Sequence, residues 1–187
     1  MAGTFEITDT PLAGLKIIRR RPVPDSRGFF CRVFCAAELA AAGFTRPVSQ
    51  ANHTFTRKQG SVRGLHYQLQ PAAEMKLVSC LKGEIFDVAV DVRRGSPTFL
   101  RWHGVRLAAG GFASLLVPEG FAHGYQALAP DSEVLYLNSS PYSPEHARAL
   151  NALDPALAVG WPLPVSEQSE RDRAVAFCGA GFEGMVV

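Results

Sequence analysis

The stretch SVRGLHYQLQ, residues 61–70, sets Arg63, His66 and Gln68 within six positions of an otherwise apolar, strand-like run. Such groups lose hydration when they face a closed core, so this run is expected to line something wet or reactive. Polar groups interrupt a strand pattern at three further places: Asp87 in EIFDVAVD, His123 in VPEGFAHGYQAL and Tyr136 in EVLYLNSS. With Lys76 and Arg63 close by, these supply two imidazoles, a phenol, a carboxylate and two cations, which are acid–base and anion-holding groups. Singly, each has a plainer explanation. A strand histidine is more often hydrogen-bonded or at the surface, Tyr136 alone reads as a core aromatic, and Asp87 alone as a solvated strand residue.

The elements that must position these groups are strands. From about residue 48 to 140, short runs rich in Val, Ile, Leu and Phe are punctuated by Gly, Pro and Asp, the pattern of an all-β sandwich or barrel. Residues 76–92, KLVSCLKGEIFDVAVDV, read as a hairpin turning at Lys82-Gly83. Alternation in its second half puts Phe86, Val88, Val90 and Val92 on one face and Ile85, Asp87, Ala89 and Asp91 on the other. The acid-bearing face is solvent-facing in a sandwich and inward-facing in a small barrel with a cavity; the pattern leaves both open. Elsewhere His66 shares a face with Gln68, and Phe121, His123 and Tyr125 share another. Short helices are expected over 35–43, ending at Gly43, and from Ser143-Pro144 onward. After about residue 161 the strand rhythm fades, and this tail is expected to pack along the outside or to close over a site.

A length of 187 residues with 47% hydrophobic content suits one domain, taken as 1–187. A net charge of +2 with dispersed Lys and Arg is too weak for a nucleic-acid groove, yet it suits a small anionic ligand such as a nucleotide or phosphate. No run approaches the eighteen or so apolar residues of a membrane span, and the start MAGTFEITDT has neither a basic nor an apolar targeting region. Cys31, Cys35, Cys80 and Cys178 form no C-x-x-C pair. They read as reduced thiols of a cytoplasmic protein, with Cys31 and Cys35 as buried small hydrophobes.

Pro118-x-Gly120-x-x-His123 resembles the second motif of the cupins, barrels that often hold iron or manganese. The first cupin motif needs His-x-His, where this chain has His66-x-Gln68, and Glu74 is loosely placed as a ligand. No metal site and no cofactor are therefore expected. A longer series of motifs is more specific: DSRGFF (25–30), Gln50-x-Asn52-His53, VRGLHYQ (62–68), MKLV (75–78), GEIFDVAVDVRRGSPTF (83–99), VPEGFAHGY (117–125), VLYLNSSPYSPEH (134–146), then WPL and SERD. In this order, over nearly the whole chain, the sequence resembles the dTDP-4-dehydrorhamnose 3,5-epimerase family.

That resemblance implies a cupin-type jelly-roll barrel with short peripheral helices. It further implies an enzyme that inverts C3 and C5 of a nucleotide-linked 4-keto-6-deoxyhexose through an enolate. By the same resemblance His66 is the base, Asp172 of SERD its orienting carboxylate, Tyr136 the acid on the opposite face and Lys76 the enolate-stabilising cation. His123 lies close to that cation, and Asp87 holds the set in orientation. Arg63 and Arg171 look like diphosphate contacts, and Gln50, Asn52 and Tyr142 line the nucleotide end. Arg27 and Phe30 reach into the neighbouring site of a homodimer with shared strands. Four places depart from the family pattern: Arg32 where a glutamate is usual, Ala51 where an aspartate is common between Gln50 and Asn52, Ser61-Val62 before RGLH, and a late segment VSEQSERDR that is longer before SERD than in some relatives. The reversal at Arg32 leaves the nucleotide base open. The same motifs also fit relatives that epimerise only C3 or only C5, and a metal-dependent cupin oxygenase is the more distant alternative.

Overall fold

The computed structural model describes residues 4–179 and 181–187. Four strands, β1 (Phe5–Asp9), β2 (Lys16–Arg20), β3 (Val23–Asp25) and β4 (Gly28–Phe30), precede a short helix α1 (Ala36–Ala40). The strand-rich middle contributes β5 (Gln50–Thr56), β6 (Val62–Gln68), β7 (Lys76–Lys82), β8 (Glu84–Asp91), β9 (Trp102–Ala108), β10 (Ala113–Val117), β11 (Phe121–Ala127) and β12 (Ser132–Asn138). A last strand β13 (Ala147–Ala149) and a one-turn helix α2 (Glu170–Arg173) follow. The all-β expectation holds. A six-stranded sheet in the order β1-β2-β10-β7-β12-β5 faces a five-stranded sheet in the order β13-β6-β11-β8-β9, and β3 and β4 form a separate hairpin.

The hairpin expected over 76–92 is absent. β7 pairs with β10 and β12, whereas β8 pairs with β11 and β9, so the chain passes from one sheet to the other at Gly83. Two apolar runs joined by a glycine look alike whether they pair or turn a corner between sheets; here each strand already has two other partners. Gly83 adopts φ +73°, and a Cβ there would lie 2.5 Å from Ser132 Oγ, so the corner has room only for glycine.

Both faces of β8 are consequently buried. Ile85 and Ala89 join Val78, Leu115, Tyr125 and Val134 in the core between the sheets, so the acid-bearing face points inward. Val88, Val90 and Val92 pack outward beneath the C-terminal segment, against Leu150, Leu157 and Met185, with Trp161 edge-on to Phe86 at 6.3 Å. The segment after residue 161 thus packs along the outside and also, through α2, reaches the mouth between the sheets. A third cluster, with Leu39, Phe44, Leu77 and Leu137, sits under α1 on the outer face of the six-stranded sheet.

The helices differ from expectation in detail. α1 ends by Ala40, and Gly43 (φ +107°) follows in the turn that closes it, Phe44 N–H donating to Leu39 O at 3.0 Å. No helix starts at Ser143. Its carbonyl accepts from His146 and Ala147 N–H in a single turn, and pairing of Ala147 with Gln68 in β13 then draws the chain into the sheet. Cys31 and Cys35 are half-buried rather than buried, since the chain there runs over the surface between the β3–β4 hairpin and α1; all four cysteines are free.

The loop after β8 is held by one carboxylate. Asp91, fully buried, accepts from Arg93 N, Nε and Nη2 at 3.0, 2.9 and 2.7 Å and from Ser96 Oγ and Thr98 Oγ1 at 2.6 Å. Burial alone would raise its pKa, but these five donors outweigh it and hold the group at about 2, against the usual 3.8. The lowered folded-state value means that the contribution is complete above pH 4 and is lost as pH falls toward 2. Asp91→Asn is expected to cost about 2 kcal/mol or more at pH 7 and progressively less from pH 4 downward. Urea unfolding of both proteins at pH 7 and pH 3 tests this; an equal difference at the two values would contradict it.

Candidate active site

Strand parity gathers the polar set on the inner walls at one end of the barrel. On β6, Leu65 and Tyr67 pack into the outer core, which turns His66 and Gln68 inward. On β12, Leu135 and Leu137 pack under α1 and Tyr136 and Asn138 turn inward; on β7, Leu77 packs outward and Lys76 inward. Gln50 and Asn52 of the edge strand β5 complete this wall. A cavity of about 240 Å³ is lined by Gln50, Asn52, His66, Gln68, Glu74, Lys76, Tyr136, Asn138, Tyr142 and Arg171, among others. A wider one of about 740 Å³, lined by Arg57, Lys58, Arg63 and Asp172, meets it at His66 and Arg171.

His66 Nε2 lies 2.7 Å from Asp172 Oδ1, which leaves Nδ1 available. The carboxylate comes from α2, whose first turn is capped by Ser169: its Oγ accepts from Asp172 N–H at 3.0 Å. α2 is docked through the segment before it, where Val62 N–H donates to Glu167 O at 2.9 Å and Ser61 Oγ to Glu167 Oε2 at 3.2 Å. The unusual Ser61 is thereby part of the seat of α2. Burial would raise the pKa of Asp172, but the hydrogen bond and charge of His66, with donors from Gly64 and Ser169, hold it below the usual range.

His66 sits directly across from His123 on β11, at an irregularity where the register shifts between His123 and Tyr125. Two glycines make this approach feasible. A Cβ on Gly64 (φ +114°) would lie 2.6 Å from Gly124 Cα, and one on Gly124 would lie 2.4 Å from Arg63 O. Deeper in the barrel, His123 Nε2 pairs with Asp87 Oδ1 at 2.7 Å, both side chains buried, while Asp87 Oδ2 has no partner. Neither His123 nor Asp87 lines the two cavities.

On the facing wall, Lys76 Nζ lies 2.5 Å from Glu74 Oε1 and 3.5 Å from His66 O. Glu74, set aside in the sequence as a loosely placed ligand, is therefore a site residue; its place two positions before Lys76, on the same strand parity, was the available signal. Gln68 does more than line the cavity. Its amide donates to Ala72 O and Pro141 O at 2.8 and 3.1 Å and accepts from Ser143 N–H at 2.6 Å, stapling two loops. Gln50 Oε1 accepts from Tyr142 N–H. Burial, chiefly, raises the Tyr136 phenol above its ordinary pKa, with Tyr125 and Glu74 adding to the rise and Arg63 opposing it. Arg63 donates to Thr56 Oγ1 and Phe55 O, both at 3.0 Å, and remains exposed at the mouth.

Arg27 and Phe30 are not brought to either cavity. They lie on the β3–β4 hairpin, Arg27 paired with Asp25 at 2.7 Å and Phe30 exposed. Arg32 is tied to α1 through Glu38 at 3.3 Å. Arg57 and Lys58, missed in the sequence although they form a short basic run, line the wider cavity. Among the described residues no group of three or more His, Cys, Asp or Glu side chains could hold a metal ion, and both inner histidines have a ring nitrogen tied to a carboxylate. No helix among them is long and apolar enough to cross a membrane.

The dTDP-4-dehydrorhamnose 3,5-epimerase family model matches residues 9–178. The chain belongs to that family. It is 44% identical over 162 residues to the dTDP-4-dehydrorhamnose 3,5-epimerase of Sinorhizobium fredii, covering 86% of this chain and 83% of the relative. Among solved structures, dTDP-6-deoxy-D-glucose-3,5-epimerase from Legionella pneumophila, in complex with dTDP-4-keto-L-rhamnose, superposes with a TM-score of 0.88 at 40% identity, covering 92% of both chains. The 3'-monoepimerase ChmJ from Streptomyces bikiniensis, in complex with dTDP-quinovose, is similar at a TM-score of 0.80 and 32% identity, covering 90% of this chain and 85% of that one. The jelly roll expected from the motifs is thus the fold of this epimerase family.

The raised phenol gives a direct check on the wall opposite His66. The difference in tyrosinate absorbance between the unmodified protein and Tyr136→Phe is expected to titrate above pH 10. A midpoint at or below 10 would mean that Tyr136 is more solvated, or closer to positive charge, than its place between the sheets implies.

Proposed function

We propose that this protein is a single-domain epimerase that inverts C3 and C5 of dTDP-4-keto-6-deoxyglucose, giving dTDP-4-keto-rhamnose, by removing and returning protons through an enolate. The carrying observation is that His66, paired with a buried carboxylate, and Tyr136, a phenol that burial holds above its ordinary pKa, approach one cavity from opposite sheets. A proton beside a ketone leaves slowly unless a base is positioned for it and the enolate is stabilised. His66 is the base and Asp172 orients its ring and stabilises the imidazolium, as a carboxylate does for histidine bases generally. Inversion needs an acid on the other side of the ring, and Tyr136 returns the proton there. Lys76 stabilises the enolate oxygen, with the His123–Asp87 pair bracing the opposite wall. Arg63 and Arg171, at the mouth, hold the diphosphate, and Gln50, Asn52 and Tyr142 hold the nucleotide. Neither metal nor redox cofactor enters these steps.

The protein acts in the cytoplasm as a homodimer. The β3–β4 hairpin supports this: Val23, Phe29 and Phe30 are 63, 61 and 66% exposed, an apolar patch that a second copy would cover while bringing Arg27 and Phe30 to its site. Sedimentation velocity is expected to return a dimer, and a monomer at micromolar concentration would contradict the shared site.

Incubation with dTDP-4-keto-6-deoxyglucose in heavy water is expected to place deuterium at both C3 and C5. His66→Ala should bind nucleotide and lose exchange, whereas Arg63→Ala should chiefly weaken binding. Inversion at C3 alone is the second reading, favoured by the likeness to ChmJ; uptake at C3 only would establish it. Near-normal exchange in His66→Ala would overturn the assignment of the base.

A further inference from the structure

Glu74, the buried acid that lines the smaller cavity, has no part in the scheme above. Glu74 lies just before β7, its carboxylate 2.5 Å from Lys76 Nζ, and both side chains are more than nine-tenths buried. Its second oxygen accepts from Asn138 Nδ2 at 3.2 Å and from Gln68 Nε2 at 3.4 Å. Neither amide is free to wander: Gln68 staples the loops around Ala72 and Pro141, and Asn138 sits within the β12 ladder between β5 and β7. The carboxylate is therefore fixed from behind by two amides and in front by one ammonium.

Lysine is the loose member of such a cluster, with a four-carbon stem and three rotatable donors. Here one N–H is taken by Glu74 and a second reaches the His66 carbonyl at 3.5 Å. That leaves the third for an oxygen in the cavity that Lys76 lines. A buried ammonium without this counter-charge would be costly and would sample other rotamers. We infer that Glu74 is a positioning residue: it anchors the Lys76 ammonium where its remaining N–H meets the keto oxygen on which negative charge develops, and it acts through that lysine. This rests on the epimerase reading.

The test is a double-mutant cycle read by solvent-deuterium exchange, with labelling of Lys76 as a readout independent of turnover. Glu74→Ala is expected to lower kcat about 10- to 100-fold, the size of effect seen when the partner of a directly acting group is lost, with KM changed less than about threefold. Glu74→Gln, which keeps an acceptor for the ammonium and nearly the same volume, should recover most of that loss. In a Lys76→Ala background, adding Glu74→Ala should cost nothing further. Acylation of Lys76 by an amine-reactive reagent, followed by peptide mass spectrometry, should be several-fold faster in Glu74→Ala than in the unmodified protein. Equal losses in both backgrounds, a change in KM alone, or unchanged labelling would each overturn the inference. Absence of exchange in the unmodified protein would overturn the epimerase reading and the inference with it; faster labelling in Glu74→Ala would then show that the ion pair was correctly read and that the reaction was not.

Discussion

The site depends on a contact between residues 106 positions apart, the 2.7 Å pairing of His66 with Asp172. His66 is fixed by its strand, but Asp172 reaches it only because the whole C-terminal segment first crosses the outer face of the five-stranded sheet. Leu150, Leu157 and Trp161 cover Val88, Val90 and Phe86 on the way, and Glu167 then bridges to Ser61 before Ser169 caps the turn that carries the carboxylate. Burial of apolar surface at one place thus positions a charge at another. The same packing that hides the outer face of β8 makes the imidazole a member of a dyad rather than an isolated strand histidine.

A second constraint is charge compensation. The barrel buries carboxylates that water would otherwise solvate, and each stands against a basic side chain: Asp172 against His66, Asp87 against His123, Glu74 against Lys76 and Asp91 against Arg93. A buried charge without a partner is strongly destabilising, so these pairs are conditions of folding as well as features of the cavity. Their placement is uneven. The Asp91–Arg93 pair stiffens a loop after β8, whereas the other three stand within one end of the barrel, and the apolar core of Leu15, Val78, Ile85 and Leu115 fills the rest. That division lets a rigid interior and a wet, reactive mouth coexist in one pair of sheets.

Much of this was legible from residue order alone. Period two correctly paired His66 with Gln68 and separated them from Leu65 and Tyr67, and it set Asp87 with Ile85, Ala89 and Asp91 on one face of β8, but it left open which way that face pointed. Connectivity was less legible, because a glycine between two apolar runs can reverse a strand or carry it to the facing sheet; the clash of any Cβ at Gly83 with Ser132, 49 positions away in the chain, selects the corner. β1 and β2 were missed because their pattern is short and charged, and what holds them is pairing: β2 with β10, and β1 in turn with β2. The helix expected at Ser143 had a sound capping signal that lost to the ladder of β13. Motif matching assigned His66, Lys76 and Tyr136 to one family's site, yet it passed over Glu74; parity with Lys76 hinted at its place, and the bonds from Asn138 and Gln68 show how it is held.

The departures from the family pattern have local physical reasons, and these differ from one another. Ser61 donates to Glu167 and so strengthens the seat of the segment bearing Asp172. Ala51 is an exposed residue of the edge strand β5, where a small side chain interferes with nothing. Arg32 is engaged within its own chain: its guanidinium bonds Glu38 Oε1, and Glu38 Oε2 accepts from Thr4 N–H at 2.7 Å, so the arginine joins α1 to the residue before β1. A charge reversal beside the β3–β4 hairpin is thereby neutralised by a neighbouring acid before any ligand arrives. Its field beyond the pair is correspondingly weaker than its formal charge suggests, because opposite charges about 3 Å apart screen each other at distances larger than their separation.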